Sequence, residues 1–142
     1  MIKYLGLDLG KRRIGLAISD DLNITAQVLD FIDFKDLTSF VNDIIQLVAE
    51  KGVTRFIIGN PRNMKGTESS GSLRAKEIAE RLKDETGIDA VLWDERLTTV
   101  SAEKILISAN VRRKKRKQKI DSLAAQVMLQ SYLDYVKNLE ET

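Results

Sequence analysis

What most constrains the fold of this chain is a switch in its hydrophobic period after residue 33. Up to that point the apolar residues come in strand-length runs. Residues 2–9 (Ile-Lys-Tyr-Leu-Gly-Leu-Asp-Leu) read as a buried strand interrupted by one aspartate, and residues 13–19 as a second. Only Gly10-Lys11-Arg12 separates them, a hairpin-length link, so the two strands are expected to be antiparallel. A third strand is expected near 25–33, after the turn-like Asp20-Asp21-Leu22-Asn23. Then Phe40, Ile44, Leu47 and Val48 fall at helical spacing, with Gly52 as a stop. Arg55–Ile58 forms a short strand and the polar loop from Arg62 to about Ser70 follows. A second helix places Leu73, Ile78, Ala79 and Leu82 on its apolar side, and residues 89–93 make a fifth strand. A helix from Thr98 or Thr99 to about Ala109 and a last helix from about Ile120 to Lys137 complete the pattern. Early strands joined by tight turns predict an antiparallel meander, and later strands joined through helices predict a parallel part. The expectation is an α/β fold, a mixed five-stranded sheet flanked by helices, in one domain over residues 1–142.

Two absences narrow the chemistry. The chain has no cysteine and no histidine. Disulfides, thiolate zinc sites and cysteine nucleophiles are excluded, along with the commonest general base and transition-metal ligand. Acid–base or metal work falls to carboxylates, hydroxyls, lysines or water, and oxygen ligands suit hard cations such as Mg²⁺ or Mn²⁺. The N-terminus runs straight into a strand pattern, without the basic and apolar regions of a secretory signal, and no apolar run reaches about 18 residues. A cytoplasmic protein with no membrane partner is expected.

The net charge of +2 hides an asymmetry. Residues 112–119 carry seven positive charges and none negative, while the rest holds 16 basic and 21 acidic residues, a balance of −5. Such a run is read as a solvated, mobile loop in the free protein, and its natural partner is a polyanion. Arg112, Arg113, Lys114, Lys115, Arg116 and Lys117 are therefore candidate phosphate contacts. No aromatic residue interleaves the run, so it is no base-stacking platform.

Three carboxylate positions stand out. Asp8 is an acid in an apolar strand, flanked by Gly6 and Gly10; it is either a turn aspartate or a group held by a cation. Trp93-Asp94-Glu95-Arg96 ends the fifth strand, and the carboxyl ends of strands are where open α/β sheets bind ligands. Asp94 or Glu95 can ligate a metal there and Arg96 can clamp a phosphate; a solvated salt-bridge loop is the plain alternative. Asp121 falls in the first turn of the expected last helix, where an acid also simply complements the helix dipole. An acid on a first strand, one after a later strand and one on a final helix can meet at one sheet end. Their mutual repulsion would be relieved by two divalent cations about 4 Å apart, which can activate water on a phosphodiester. Gly59-Asn60-Pro61-Arg62-Asn63-Met64-Lys65-Gly66-Thr67 links a strand to a helix, and its backbone amides with Arg62 or Lys65 can hold phosphate. Lys11 and Arg12 add cations beside Asp8. Neither glycine-bearing segment is a Walker A loop.

These residues resemble a family. Leu7-Asp8-Leu9-Gly10 with Arg13-Ile14-Gly15-Leu16-Ala17, Ile58-Gly59-Asn60-Pro61 through Gly66-Thr67, Asp94-Glu95-Arg96-Leu97-Thr98-Thr99, and Ile120-Asp121-Ser122-Leu123-Ala124-Ala125 are similar, in this order, to the motifs of the YqgF/RuvX family. Members are described as Holliday junction resolvases and as pre-16S rRNA nucleases with an RNase H-like fold. The resemblance implies that Asp8, Glu95 and Asp121 form an acidic triad that binds Mg²⁺ or Mn²⁺ and catalyses hydrolysis. It also implies a cytoplasmic role in maturing the 5′ end of 16S rRNA. The family loop usually reads Gly-Leu-Pro, and Asn60 here replaces the leucine. The leading expectation is a metal-dependent nuclease acting on precursor 16S rRNA, as monomer or homodimer. Alternatives are a resolvase of branched DNA, which would act as a symmetric dimer, and an RNA-binding ribosome assembly factor that cuts nothing. A nucleotide-handling ATPase of the actin and sugar-kinase type is a weaker reading, since this chain is short for a two-domain cleft.

Overall fold

A computed structural model describes residues 2–60, 70–94 and 113–141, with the side chains of 60, 70, 113–121 and 141 outside that description. Five strands, β1 (Tyr4–Leu9), β2 (Arg13–Ser19), β3 (Ala26–Asp33), β4 (Arg55–Asn60) and β5 (Ala90–Asp94), form one sheet in the order β3-β2-β1-β4-β5. Antiparallel pairing joins β1 to β2 and β2 to β3; parallel pairing joins β1 to β4 and β4 to β5. The mixed sheet predicted from the connections is therefore present, and β1 is the strand where meander meets parallel half. Among the described residues the helices are α1 (Leu37–Lys51), α2 (Ser70–Thr86) and α3 (Arg113–Glu141). None is long and apolar enough to cross a membrane.

Strand alternation sends successive side chains to opposite faces, so the sheet has two cores. Leu5, Leu7, Ile14, Leu16, Phe56 and Ile58 meet Phe40, Val41 and Ile44 of α1 and Ala75, Ile78 and Leu82 of α2. On the other face Tyr4, Ala17, Ile57 and Trp93 meet Ala125, Met128, Leu129 and Leu133 of α3. Helix α1 starts where the Asp36 carboxylate accepts the Ser39 N–H at 2.8 Å and ends at Gly52, whose φ of +71° suits a residue without Cβ.

Two expectations are corrected. Leu73 is 57% exposed rather than on the apolar side of its helix. At about 100° per residue, the buried stripe of Ala75, Ile78 and Leu82 leaves position 73 facing away. The basic segment, expected as a loop, has helical backbone from Arg113 onward and runs unbroken into α3, which spans 29 residues. Lysine, arginine and glutamine are good helix formers, and no glycine or proline interrupts residues 112–120. The expected helix between Thr98 and Ala109 lies outside the described residues.

Candidate active site

Parallel pairing brings strand ends together. Leu7 of β1 lies opposite Ile58 of β4, and Ile58 lies opposite Leu92 of β5. Asp8 is one residue further along β1, at the carboxyl edge of the sheet, which is the edge where α/β folds place their ligands. The turn that follows it is tight: the Gly10 N–H donates to the Arg13 carbonyl at 3.1 Å and to the Asp8 carbonyl at 3.2 Å. A Cβ at Gly10 would fall 2.4 Å from the Arg13 oxygen, so only glycine fits.

Tyr4, Gly6 and Asp8 share one face of β1, the face covered by α3. Gly6 lets that helix come close, since a Cβ there would meet Leu129 Cβ at 3.1 Å. Three polar side chains, at positions 122, 126 and 130 of α3, then hold the helix in register on the sheet. The fully buried Ser122 Oγ accepts the Leu16 N–H at 3.1 Å. Gln126 Nε2 donates to the Ala26 carbonyl at 3.0 Å. Gln130 accepts the Ala26 N–H and donates to the Ile24 carbonyl, both at 2.9 Å. The Leu16 amide is available to Ser122 because the β2–β3 ladder slips between Ile14 and Leu16.

This anchoring carries Asp121 toward Asp8. Leu16 lies opposite Leu7, and Gly15 lies opposite Asp8 itself. The backbone of Asp121, one residue before the anchored Ser122, is thereby set on the same sheet face and at the same edge as Asp8. Asp8 is thus placed as a full residue, and Asp121 by its helical backbone alone, one residue before the anchored Ser122. Glu95, the third, lies outside the described residues, as do Arg62, Lys65, Arg96 and Arg112. Asp94 is placed differently. Leu92 packs with the α1–α2 core while Val91 and Trp93 pack with α3, so alternation turns Asp94 to the face opposite Asp8. Of the two acids the sequence left open at this strand end, Asp94 does not share a face with Asp8. Lys11 and Arg12 are exposed on the turn beyond Asp8. Arg113, Lys114, Lys115, Arg116 and Lys117 lie on the first turns of α3, ahead of Asp121.

The Asp8 carboxylate is half-buried, and among the described residues no basic side chain or hydrogen-bond donor pairs with it. A partly desolvated carboxylate without a partner favours a cation at that place. The donor chemistry agrees, because a chain without histidine or cysteine offers only hard oxygen ligands. Among the described residues no three acidic side chains gather as a metal site; Asp8 alone offers a hard oxygen ligand there, of the kind a divalent cation takes. The sequence reading missed the helix anchors. A serine and two glutamines at four-residue spacing in the apolar stretch after Asp121 were the available signal.

Comparison with known proteins places the chain among relatives. A family described as RuvX, Holliday junction resolvase, matches residues 2–135. A protein of Carboxydothermus hydrogenoformans named "Putative pre-16S rRNA nuclease" is 46% identical over 134 residues, covering 94% of this chain and 97% of the relative. A protein of the same name from Agathobacter rectalis is 39% identical, covering 96% and 98%. Among solved structures, RuvC of T. thermophilus in complex with a Holliday junction substrate superposes with a TM-score of 0.65 at 11% identity, covering 97% of this chain and 96% of that one. At that identity the likeness concerns the fold, and it is the RNase H-like fold that the resemblance implied.

Proposed function

This chain belongs to the RuvX family, and from that membership we propose that it is a nuclease that hydrolyses phosphodiester bonds in nucleic acid, with precursor 16S rRNA as substrate. The observation that supports the reading is the Ser122–Leu16 hydrogen bond, which anchors α3, one residue after Asp121, to the residue of β2 that lies opposite Leu7, the neighbour of Asp8. In this reading Asp8, Glu95 and Asp121 hold Mg²⁺ or Mn²⁺. When bound, the cation supplies Lewis acidity toward the scissile phosphate. The chain's own groups do the rest. The three carboxylates orient the attacking water and accept its proton through solvent, and Arg96 steadies the phosphate as charge builds on it. Lys11 and Arg12, on the turn beside Asp8, and Arg62 and Lys65 draw the backbone of the substrate toward the edge. Arg112 and the basic residues 113–117 at the start of α3 extend that field away from the acids, so that phosphates bind where carboxylates do not repel them. Maturation of ribosomal RNA places this work in the cytoplasm.

A second reading, branched DNA, is favoured by the description of the matching family and by the junction-bound RuvC that shares the fold. Cutting two strands of a junction needs two active sites, so it calls for a homodimer. The deciding experiment is cleavage of a labelled precursor 16S rRNA fragment and of a four-way junction, with Mg²⁺, Mn²⁺ or chelator, by wild type and Asp8→Asn. Metal-dependent cutting of the RNA that disappears in Asp8→Asn is the expected result. Equal cutting by both proteins refutes the placement of the site at Asp8. Binding of RNA with no cutting by wild type moves the protein to the class of assembly factors.

A further inference from the structure

The geometry points to Arg74 as a positioning residue for Asp8: its guanidinium, stacked on Phe34, holds the carbonyl of Gly10 and so locks the turn on which the Asp8 strand ends. This inference rests on the reading of Asp8 as a catalytic acid. Arg74 lies in the second turn of α2, on the core side opposite α3. Its Nη1–H donates to the Gly10 carbonyl at 2.6 Å. The same guanidinium sits with its central carbon 4.7 Å from the Phe34 ring centroid. Phe34 is itself tied to the turn, since its N–H donates to the Arg12 carbonyl at 2.7 Å, and it packs at 5.8 Å between centroids against Phe40 of α1.

These contacts form a clamp. Inside the β1–β2 turn the Gly10 N–H is shared between the Arg13 and Asp8 carbonyls, and from outside Arg74 ties Gly10 and Phe34 ties Arg12. The external ties come from different parts of the chain, the Arg74 side chain at Gly10 and the Phe34 backbone N–H at Arg12, and the two residues meet where the Arg74 guanidinium lies over the Phe34 ring. A short hydrogen bond from a charged donor, in a partly buried setting, is among the stronger contacts a backbone carbonyl can make. Lysine can replace only part of this: an ammonium can donate to the carbonyl but lacks the planar guanidinium that sits over Phe34. The turn carries Lys11 and Arg12 and directly follows Asp8, so its looseness would be felt at the carboxylate. Arg74 also links α2, which follows the Arg62–Lys65 segment, to the end of β1. It therefore couples the loop proposed to hold phosphate to the acid proposed to cut.

The test compares wild type, Arg74→Met, Arg74→Lys and Asp8→Asn in single-turnover and steady-state cleavage of the labelled precursor fragment, with amide hydrogen exchange on each protein. For Arg74→Met, kcat is expected to fall roughly ten- to hundredfold while KM changes by less than about threefold, because a displaced acid weakens the chemical step more than binding. Arg74→Lys is expected to recover part of that loss. Exchange at the Gly10 and Phe34 amides should quicken by about tenfold or more with that at Leu5 and Leu7 unchanged, the mark of local opening. An unchanged kcat with unchanged exchange overturns the proposal. A raised KM with kcat intact also overturns it, since that is the signature of a direct substrate contact. If Arg74→Met does not fold, the exchange and kcat of Arg74→Lys decide by the same criteria. Should Asp8→Asn cut as well as wild type, the catalytic reading of Asp8 is what fails, and the exchange data still judge the clamp.

Discussion

Ser122→Ala is the sharpest perturbation of the hydrogen bond that anchors α3 to β2 one residue after Asp121. The hydroxyl accepts one hydrogen bond, from the Leu16 N–H at 3.1 Å, and both residues are buried. Removing it leaves a backbone donor in a bulge of the β2–β3 ladder, with alanine's methyl too apolar to serve it. An orphaned buried amide costs about 1–3 kcal/mol. Alanine's better helix propensity returns about 0.5 kcal/mol, which leaves a net loss of roughly 0.5–2.5 kcal/mol. For a chain of 142 residues, each kcal/mol moves the midpoint by about 3–4 °C, so Tm should drop by roughly 2–10 °C. The assay is thermal unfolding followed by circular dichroism, paired with amide exchange at Leu16. Protection at Leu16 should fall by more than protection at Leu5 or Leu7, because the loss is local before it is global. Activity should fall too, because Asp121 precedes the lost anchor. Unchanged protection at Leu16 with a Tm within about 1 °C of wild type refutes the claim that this hydroxyl holds the helix.

Three further perturbations test other links. Gly10→Ala puts a Cβ 2.4 Å from the Arg13 oxygen, so the turn must open; stability should drop by about 2–3 kcal/mol and cleavage should fall, and a Tm equal to wild type in a thermal melt would sink the steric argument. The Asp36 carboxyl is held below its ordinary value by the Ser39 N–H and hydroxyl; its stabilisation is fully present above the ordinary value of 3.8 and is lost as pH falls through the lower folded value. Asp36→Asn keeps the cap without the charge, so its acid-unfolding curve should be flatter than wild type below about pH 4, and coincident curves would contradict this. Replacing the basic residues of 112–117 by glutamine should weaken RNA binding and make the log–log salt dependence shallower by nearly one unit per phosphate contact removed; an identical slope excludes the segment from the interface.

The parts of this fold that are legible in the sequence are those governed by local periodicity. The apolar run from Tyr4 to Leu9, interrupted by one aspartate, reveals a buried strand, and three residues between it and Arg13 leave no room for anything but an antiparallel return. Asp8 stands out for the same reason: an acid breaks an apolar period visibly. Leu73 is misplaced by its spacing because one helical turn can be read on either side, and only the fit of Ala75, Ile78 and Leu82 against the sheet resolves it. The basic run reads as a loop when charge repulsion is weighed and helix propensity is not. What escapes altogether is non-local. The Leu16 amide needs an acceptor because of a ladder slip that no periodicity announces, and the acceptor lies 106 residues away in sequence. The Arg74 contact to Gly10 crosses 64 residues. Such contacts leave little trace beyond a polar residue where an apolar one would do, as at Ser122, Gln126 and Gln130. The site follows the same division. Asp8 is legible because an acid is costly in an apolar strand and Glu95 and Asp121 because they fall in the family's motifs, whereas the residues around them, such as Ser122 and Arg74, are ordinary ones whose role depends on which strand edge the fold brings alongside. Polar side chains at four-residue spacing along an otherwise apolar helix stripe are therefore a signal worth reading: each needs a partner across the interface it enters, and that need fixes the register of whatever the helix carries.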